Sequence, residues 1–142
     1  MPPVHRVRLA QNGREEDSVL IVNDVPDQLD LMNLLLRKAG YAVLTAEDGL
    51  EAFEIAKQNH PDLVISDVSM PRMNGLEAAR RLRERGATYP IMLLTARVTE
   101  ADRERGRLAG ADAQLDKPFS PAALAEHVRA LCDAGPNREH DR

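Results

Sequence analysis

With 142 residues, 43% of them hydrophobic and 30% charged, the chain has the size and composition of one globular domain, neither disordered nor fibrous. A net charge of −4 gives no reason to expect bulk attraction to nucleic acid or an anionic membrane, and no apolar run reaches the roughly 20 residues of a bilayer span. The lone cysteine, Cys132, excludes an internal disulfide, and aromatics at 3% leave the core to aliphatic side chains.

Residues 1–17 carry Pro2, Pro3, Gly13 and the acidic run Glu15-Glu16-Asp17, with no apolar block of signal-peptide length. They are expected to form a flexible extension of a soluble, cytoplasmic protein. Val19 to Val22 is a continuous apolar run, the mark of a strand buried on both faces. Pro26 follows, and Asp27 to Ala39 predicts a helix with Leu31, Leu35 and Ala39 at helical spacing, stopped by Gly40. Val43 to Ala46 is a second strand. Asp48-Gly49 then leads into a helix over Leu50 to Gln58, with Ala52, Phe53 and Ala56 on one face and His60-Pro61 at its end.

Leu63 to Asp67 predicts the third strand, and a loop with Pro71 and Gly75 leads to a helix patterned by Leu76, Ala79, Leu82 and Arg83 and closed by Gly86. The arginines from Arg80 to Arg85 are expected on a solvated helix face. Ile91 to Leu94 is the fourth strand, Glu100 to Ala109 a charged helix interrupted by Gly106, and Ala113 to Leu115 a short fifth strand. Ser120 is placed to cap a last helix that starts at Pro121 and buries Leu124, Val128 and Leu131. A domain over 18–132 and a short tail over 133–142 are expected, with nothing after Cys132 long enough for an output domain, so that the chain is expected to act by docking or to be a fragment of a larger regulator.

Strict strand–helix alternation predicts an α/β fold: a doubly wound, five-stranded parallel sheet with helices on both faces. Five such units in this length match a flavodoxin-like (βα)5 domain of strand order 2-1-3-4-5, whereas a closed eight-unit barrel needs about 250 residues.

The polar residues gather where the apolar strands end. The first strand ends in Asn23-Asp24, the third in Asp67, the fourth in Thr95, and Lys117 follows the fifth. Ligands of open α/β sheets bind beyond those ends. Two carboxylates held close repel and raise one pKa unless a cation sits between them. Mg²⁺ favours one or two carboxylates, waters and a phosphate oxygen. Lys117 and Thr95 add a mobile charge and a hydroxyl donor. Phosphoryl transfer to a carboxylate needs little more.

These pieces together resemble the receiver (CheY-like) domain of bacterial two-component response regulators. The matching segments are Val19 to Asp24, Asp67 to Gly75, Leu94-Thr95-Ala96, and Gly110-Ala111-Asp112 running into Lys117-Pro118-Phe119. The resemblance implies that Asp67 accepts a phosphoryl group from a sensor histidine kinase or phosphotransfer protein. It implies Mg²⁺ held by Asp24, Asp67 and the Ser69 carbonyl, with Asn23 acting through water. Lys117 would pair with the phosphoryl group and Thr95 would swing towards it. A cis peptide is implied between Lys117 and Pro118. The fourth helix, fifth strand and last helix would form the face that docks a downstream effector or second receiver. Neither nucleic acid nor membrane is an expected partner, and self-catalysed transfer would make the chain a switch rather than an enzyme.

Two positions depart from the family pattern. Asn23 stands where an acidic residue is usual, which predicts weaker metal binding; alternatively its side chain only bonds to backbone. Gln114 stands where Tyr or Phe is usual, and an amide cannot reproduce the packing of an aromatic switch. Both motivate a second function, a phosphorylation-independent binding module. A phosphatase of the haloacid dehalogenase type would need an Asp where Ser69 stands. Ser69 and Arg97 either flank the entry path to Asp67 or are solvated loop residues. His5, His60, His127 and His140 have no metal-site spacing.

Overall fold

The computed structural model describes residues 17–70, 72–96 and 99–134. The expected N-terminal extension up to residue 16, Pro71, Arg97 and the expected tail from residue 135 lie outside the described residues. Strands and helices alternate: β1 (Ser18–Val22), α1 (Pro26–Lys38), β2 (Ala42–Ala46), α2 (Gly49–Asn59), β3 (Leu63–Asp67), α3 (Gly75–Glu84), β4 (Ile91–Thr95), α4 (Glu100–Ala109), β5 (Ala113–Asp116) and α5 (Pro121–Ala134). All strand pairs are parallel, in the order β2-β1-β3-β4-β5, the flavodoxin-like arrangement.

The unbroken apolar runs follow from the two covered faces. Side chains alternate across a strand, so Val19, Ile21, Leu63, Ile65, Met92 and Leu94 pack under α1 and α5. Leu20, Val22, Val64, Ile91 and Leu93 pack under the helices of the opposite layer, with Ala52, Ala56, Ala79, Leu82 and Ala109. Small residues on α2 and α3 let those helices lie close to the sheet.

On α1 the buried face is Leu29, Met32 and Leu36, not the expected row of Leu31, Leu35 and Ala39. Leu35 is partly buried, but Leu31 is 55% exposed. Apolar residues on this helix satisfy two overlapping helical rows, and the sheet selects the one it touches.

Helix ends follow their local chemistry. Asp48 caps α2 by accepting from the Glu51 N–H (2.8 Å), and Asn74 caps α3 by accepting from the Glu77 N–H (2.9 Å). Ser120 accepts from the Ala123 N–H (3.0 Å), with Pro121 opening α5 as expected.

The arginine-rich stretch of α3 needs a correction, because Arg83 is not part of a solvated face. Its guanidinium donates to the carbonyls of Gly110 (2.9 and 3.0 Å), Ala87 (3.0 Å) and Tyr89 (2.6 Å) and pairs with Asp112 (2.7 Å). Asp112 also accepts from the Ile91 N–H at the start of β4 (2.9 Å). One side chain thus ties α3, the entry to β4 and the turn after α4.

Gly106 gives the midpoint of α4 a notch. A Cβ there would lie 2.6 Å from Gln114 Nε2, and that amide donates to the Arg103 carbonyl of the same helix (2.9 Å). Helix weakness at Gly106 is therefore coupled to a specific fit between α4 and β5.

Cys132 packs against the core, and burial, followed by the Asp17, Asp62 and Asp133 carboxylates, pushes its thiol up to about 12. Burial likewise pushes Tyr89 up to about 12, with Arg83 opposing. Folding raises both values, so their contribution to stability is whole below the ordinary 9.0 and 10.0 and is lost as pH rises through about 12. Alkylation of Cys132 by iodoacetamide at pH 8 is expected to be at least about tenfold slower in the native protein than in urea. Equal rates would show that the thiol is not sequestered.

No helix among the described residues is long and apolar enough to cross a membrane.

Candidate functional site

The sheet order places a topological switch between β1 and β3, because the chain leaves β1 for β2 on one side and reaches β3 on the other. In register, Val22 lies beside Ser66, so Asn23 and Asp24 emerge next to Asp67. Asp67 pairs with Leu94, which sets Thr95 one step beyond it on β4. The Lys117 N–H donates to the Thr95 carbonyl (2.8 Å) and fixes the turn after β5 at the same end. The polar strand ends foreseen in the sequence thus converge on one crevice.

Asp67 is 4% exposed, and Lys117 Nζ lies 2.6 Å from its Oδ1. A buried carboxylate in direct contact with an ammonium is the central electrostatic feature here. Lys117 sits immediately before a cis peptide to Pro118, as expected. Asp24 is exposed at the rim, Thr95 is half-buried, and Ser69 is exposed two residues after Asp67.

Asn23 is buried, and its Oδ1 accepts from the Val25 N–H (2.8 Å) while its amide donates to Gln28 (3.2 Å). It shapes the entry to α1, whose capping position Val25 offers no side-chain bond. Gln114 does not join the crevice, since its side chain is engaged on α4.

The available donors are all oxygen: the carboxylates of Asp24 and Asp67, the Ser69 carbonyl, and the remaining lone pair of Asn23. This set suits a hard cation such as Mg²⁺ that keeps part of its water shell. Among the described residues no three His, Cys, Asp or Glu side chains form a metal cluster. A groove of about 480 Å³ opens beside the crevice, lined among others by Asn23, Leu31, Leu35, Lys117 and Phe119.

The loop from Asp67 to α3 has an anchor that sequence reasoning missed. Arg72 donates through Nε to Asp48 Oδ2 (2.8 Å), and its Nη2 pairs with the same oxygen. The Glu51 amide, and after it the Arg72 guanidinium, hold the Asp48 carboxyl below its usual range against the opposing effect of burial. A long-range pair of this kind leaves no periodic signal in the sequence.

The family profile described as "Response regulator receiver domain" matches residues 19–129. The alkaline phosphatase synthesis transcriptional regulatory protein PhoP of Bacillus subtilis (strain 168) is 38% identical over 113 residues, covering 80% of this chain and 47% of that protein. The response regulator MprA of Mycobacterium sp. (strain KMS) is 41% identical over 124 residues, covering 84% and 54% respectively. The chain therefore spans about half the length of these curated relatives.

Among solved structures, the chemotaxis protein CheY4 of Vibrio cholerae has a TM-score of 0.79 and 34% identity, covering 82% of this chain and 98% of that one. The receiver domain of the sensor histidine kinase PA1611 from Pseudomonas aeruginosa PAO1, with a magnesium ion coordinated in its active-site cleft, has a TM-score of 0.77 and 30% identity. That match covers 83% of this chain and 98% of that one.

Proposed function

Since the chain belongs to the response regulator receiver domain family, we propose that it is a phosphorylation-controlled switch whose acceptor is Asp67. The observation that carries this is the contact between buried Asp67 and Lys117 at the β1–β3 switch point. A carboxylate oxygen of Asp67 attacks the phosphorus of a phosphohistidine on a sensor kinase or phosphotransfer protein. The O–P bond forms as the P–N bond breaks, and the histidine nitrogen leaves with its electron pair.

Lys117 is already positioned to follow the charge from Asp67 onto the phosphoryl oxygens, and Thr95 presents a hydroxyl on the neighbouring strand end. Asp24, Asp67 and the Ser69 carbonyl are the proposed ligands of Mg²⁺, with Asn23 acting through water. When bound, the ion supplies charge neutralisation on the transferred group. The neighbouring magnesium-containing receiver domain supports this assignment by analogy.

The groove beside Asn23 and Lys117 extends to α1, where Leu31 is exposed and lines it, and the donor imidazole is proposed to approach Asp67 along it. The donor protein is proposed to cover that apolar rim, and an effector or second receiver to read the α4–β5–α5 face. Uptake and loss of the group occur on the chain's own side chain, a switch and not a turnover enzyme. The relatives extend well beyond the matched segment, and the output of any longer protein is outside this proposal.

A second reading, a phosphorylation-independent binding module, is favoured by Asn23 Oδ1 being engaged at Val25 and by Gln114 being engaged on α4. The two readings separate on incubation with Mg²⁺ and acetyl phosphate, followed by intact mass and an amide NMR spectrum with beryllofluoride. A Mg²⁺-dependent, base-labile mass gain of one phosphoryl group is expected, with shifts spreading from Thr95 to α4. No adduct and no response to beryllofluoride would leave the constitutive binding module.

A further inference from the structure

The loop between Asp67 and α3 is fixed at its ends by the sheet and the helix. The Val68 N–H donates to the Leu94 carbonyl (3.0 Å), and the Gly75 N–H donates back to the Val68 carbonyl (2.9 Å). Its far half lies on the first turn of α2: a Cβ at Gly49 would stand 1.9 Å from the Met73 carbonyl oxygen. Met73 itself is buried.

Arg72 supplies the polar link from this loop to the same turn. It has φ +64°, a left-handed conformation that a residue with a Cβ adopts only against steric resistance. Glycine would sit there more easily. The arginine side chain is 61% exposed, so burial of its stem does not account for it either. What its side chain does is join Nε and Nη2 to one oxygen of Asp48, whose other oxygen accepts from the Glu51 N–H at the start of α2. Asp48-Gly49 is thereby both the start of a helix and a platform for the loop.

We propose that Arg72 is a positioning residue for the metal site: its ion pair with Asp48 holds the loop that carries the Ser69 carbonyl, and Mg²⁺ affinity depends on that pair. Ser69 lies three residues before Arg72 and two after Asp67. Loosening the loop on α2 spreads the orientations of the Ser69 carbonyl relative to the Asp67 and Asp24 carboxylates, so binding must first restrict them. This inference rests on the Mg²⁺-dependent reading above.

The test is calorimetric titration of Mg²⁺ into the full chain and three variants, with thermal midpoints recorded in EDTA. Arg72→Gly removes the guanidinium while relieving the backbone. Asp48→Asn removes the charge while keeping an equivalent helix cap. Arg72→Lys keeps a single charge without the planar fork. Arg72→Gly and Asp48→Asn are each expected to weaken Mg²⁺ roughly tenfold, as loss of outer-shell partners typically does, with Arg72→Lys recovering part of the loss. Metal-free midpoints are expected to fall only slightly, since Arg72 is 61% exposed and the buried Asp48 side chain keeps the Glu51 N–H as a partner. Wild-type Mg²⁺ binding matched by Arg72→Gly and Asp48→Asn would overturn the inference alone. Wild type that binds no Mg²⁺ would overturn it together with the reading on which it rests.

Discussion

Asp67→Asn is expected to abolish phosphoryl uptake from acetyl phosphate, and Lys117→Ala to slow it by roughly 10²–10³-fold, the usual cost of losing one preorganised donor to a developing oxyanion. The amide introduced by the first substitution would preserve shape and much of the hydrogen bonding but has no anionic oxygen to attack phosphorus. Lys117→Ala retains the nucleophile and removes the ammonium 2.6 Å from it. Charge on the transferring group then has to be met by the remaining donors alone. The two variants fail differently under intact-mass analysis: Asp67→Asn gives no adduct at any time, whereas Lys117→Ala gives a slow one at the same residue. Persistent labelling of Asp67→Asn would mean that another side chain is the acceptor.

Arg83→Ala is expected to cost about 2–4 kcal/mol, near the lower end of what one-sided removal of a buried ion pair costs. Each side chain of the pair is 13% exposed. The variant removes the guanidinium from the Asp112 carboxylate and its N–H donors from the carbonyls of Ala87, Tyr89 and Gly110, all within the part of the fold where α3, β4 and α4 meet. Asp112→Asn is milder, about 1 kcal/mol, because the amide oxygen can still accept from Ile91. Urea unfolding followed by circular dichroism measures both. Equal losses for the two variants would show that the Arg83–Asp112 ion pair, which both remove, carries the energy, and that the arginine's bonds to the carbonyls add little.

The fold was legible because the first four strands are mostly apolar and the helices are bounded by Asp48, Ser120 or a nearby Gly or Pro. The crevice was legible for a related reason. Asn23, Asp24, Asp67, Thr95 and Lys117 interrupt apolar runs where a parallel sheet must present them together. What could not be read was any contact decided by tertiary phase. The apolar residues of α1 fit more than one helical row, and only the sheet distinguishes Leu29, Met32 and Leu36 from Leu31 and Leu35. Arg83 looks like its neighbours Arg80, Arg81 and Arg85 until the turn at Gly110, far along the chain, supplies its acceptors. Arg72 and Asp48 are separated by 24 positions, and the left-handed backbone at Arg72 is set by the loop's path, not by composition.

Gly106 and Gln114 form a pair that substitution cannot improve one member at a time. Gly106→Ala gains about 1 kcal/mol of intrinsic helix propensity, yet its methyl group would displace the end of the Gln114 side chain and with it the bond to the Arg103 carbonyl. Gln114→Ala empties the notch and removes the bond to the Arg103 carbonyl. Each change alone should destabilise α4, and the two together should recover much of the loss, a case of sign epistasis readable in a double-mutant cycle. A sequence drifting from this state towards one with a side chain at position 106 therefore passes through a less stable intermediate whichever of the two positions changes first.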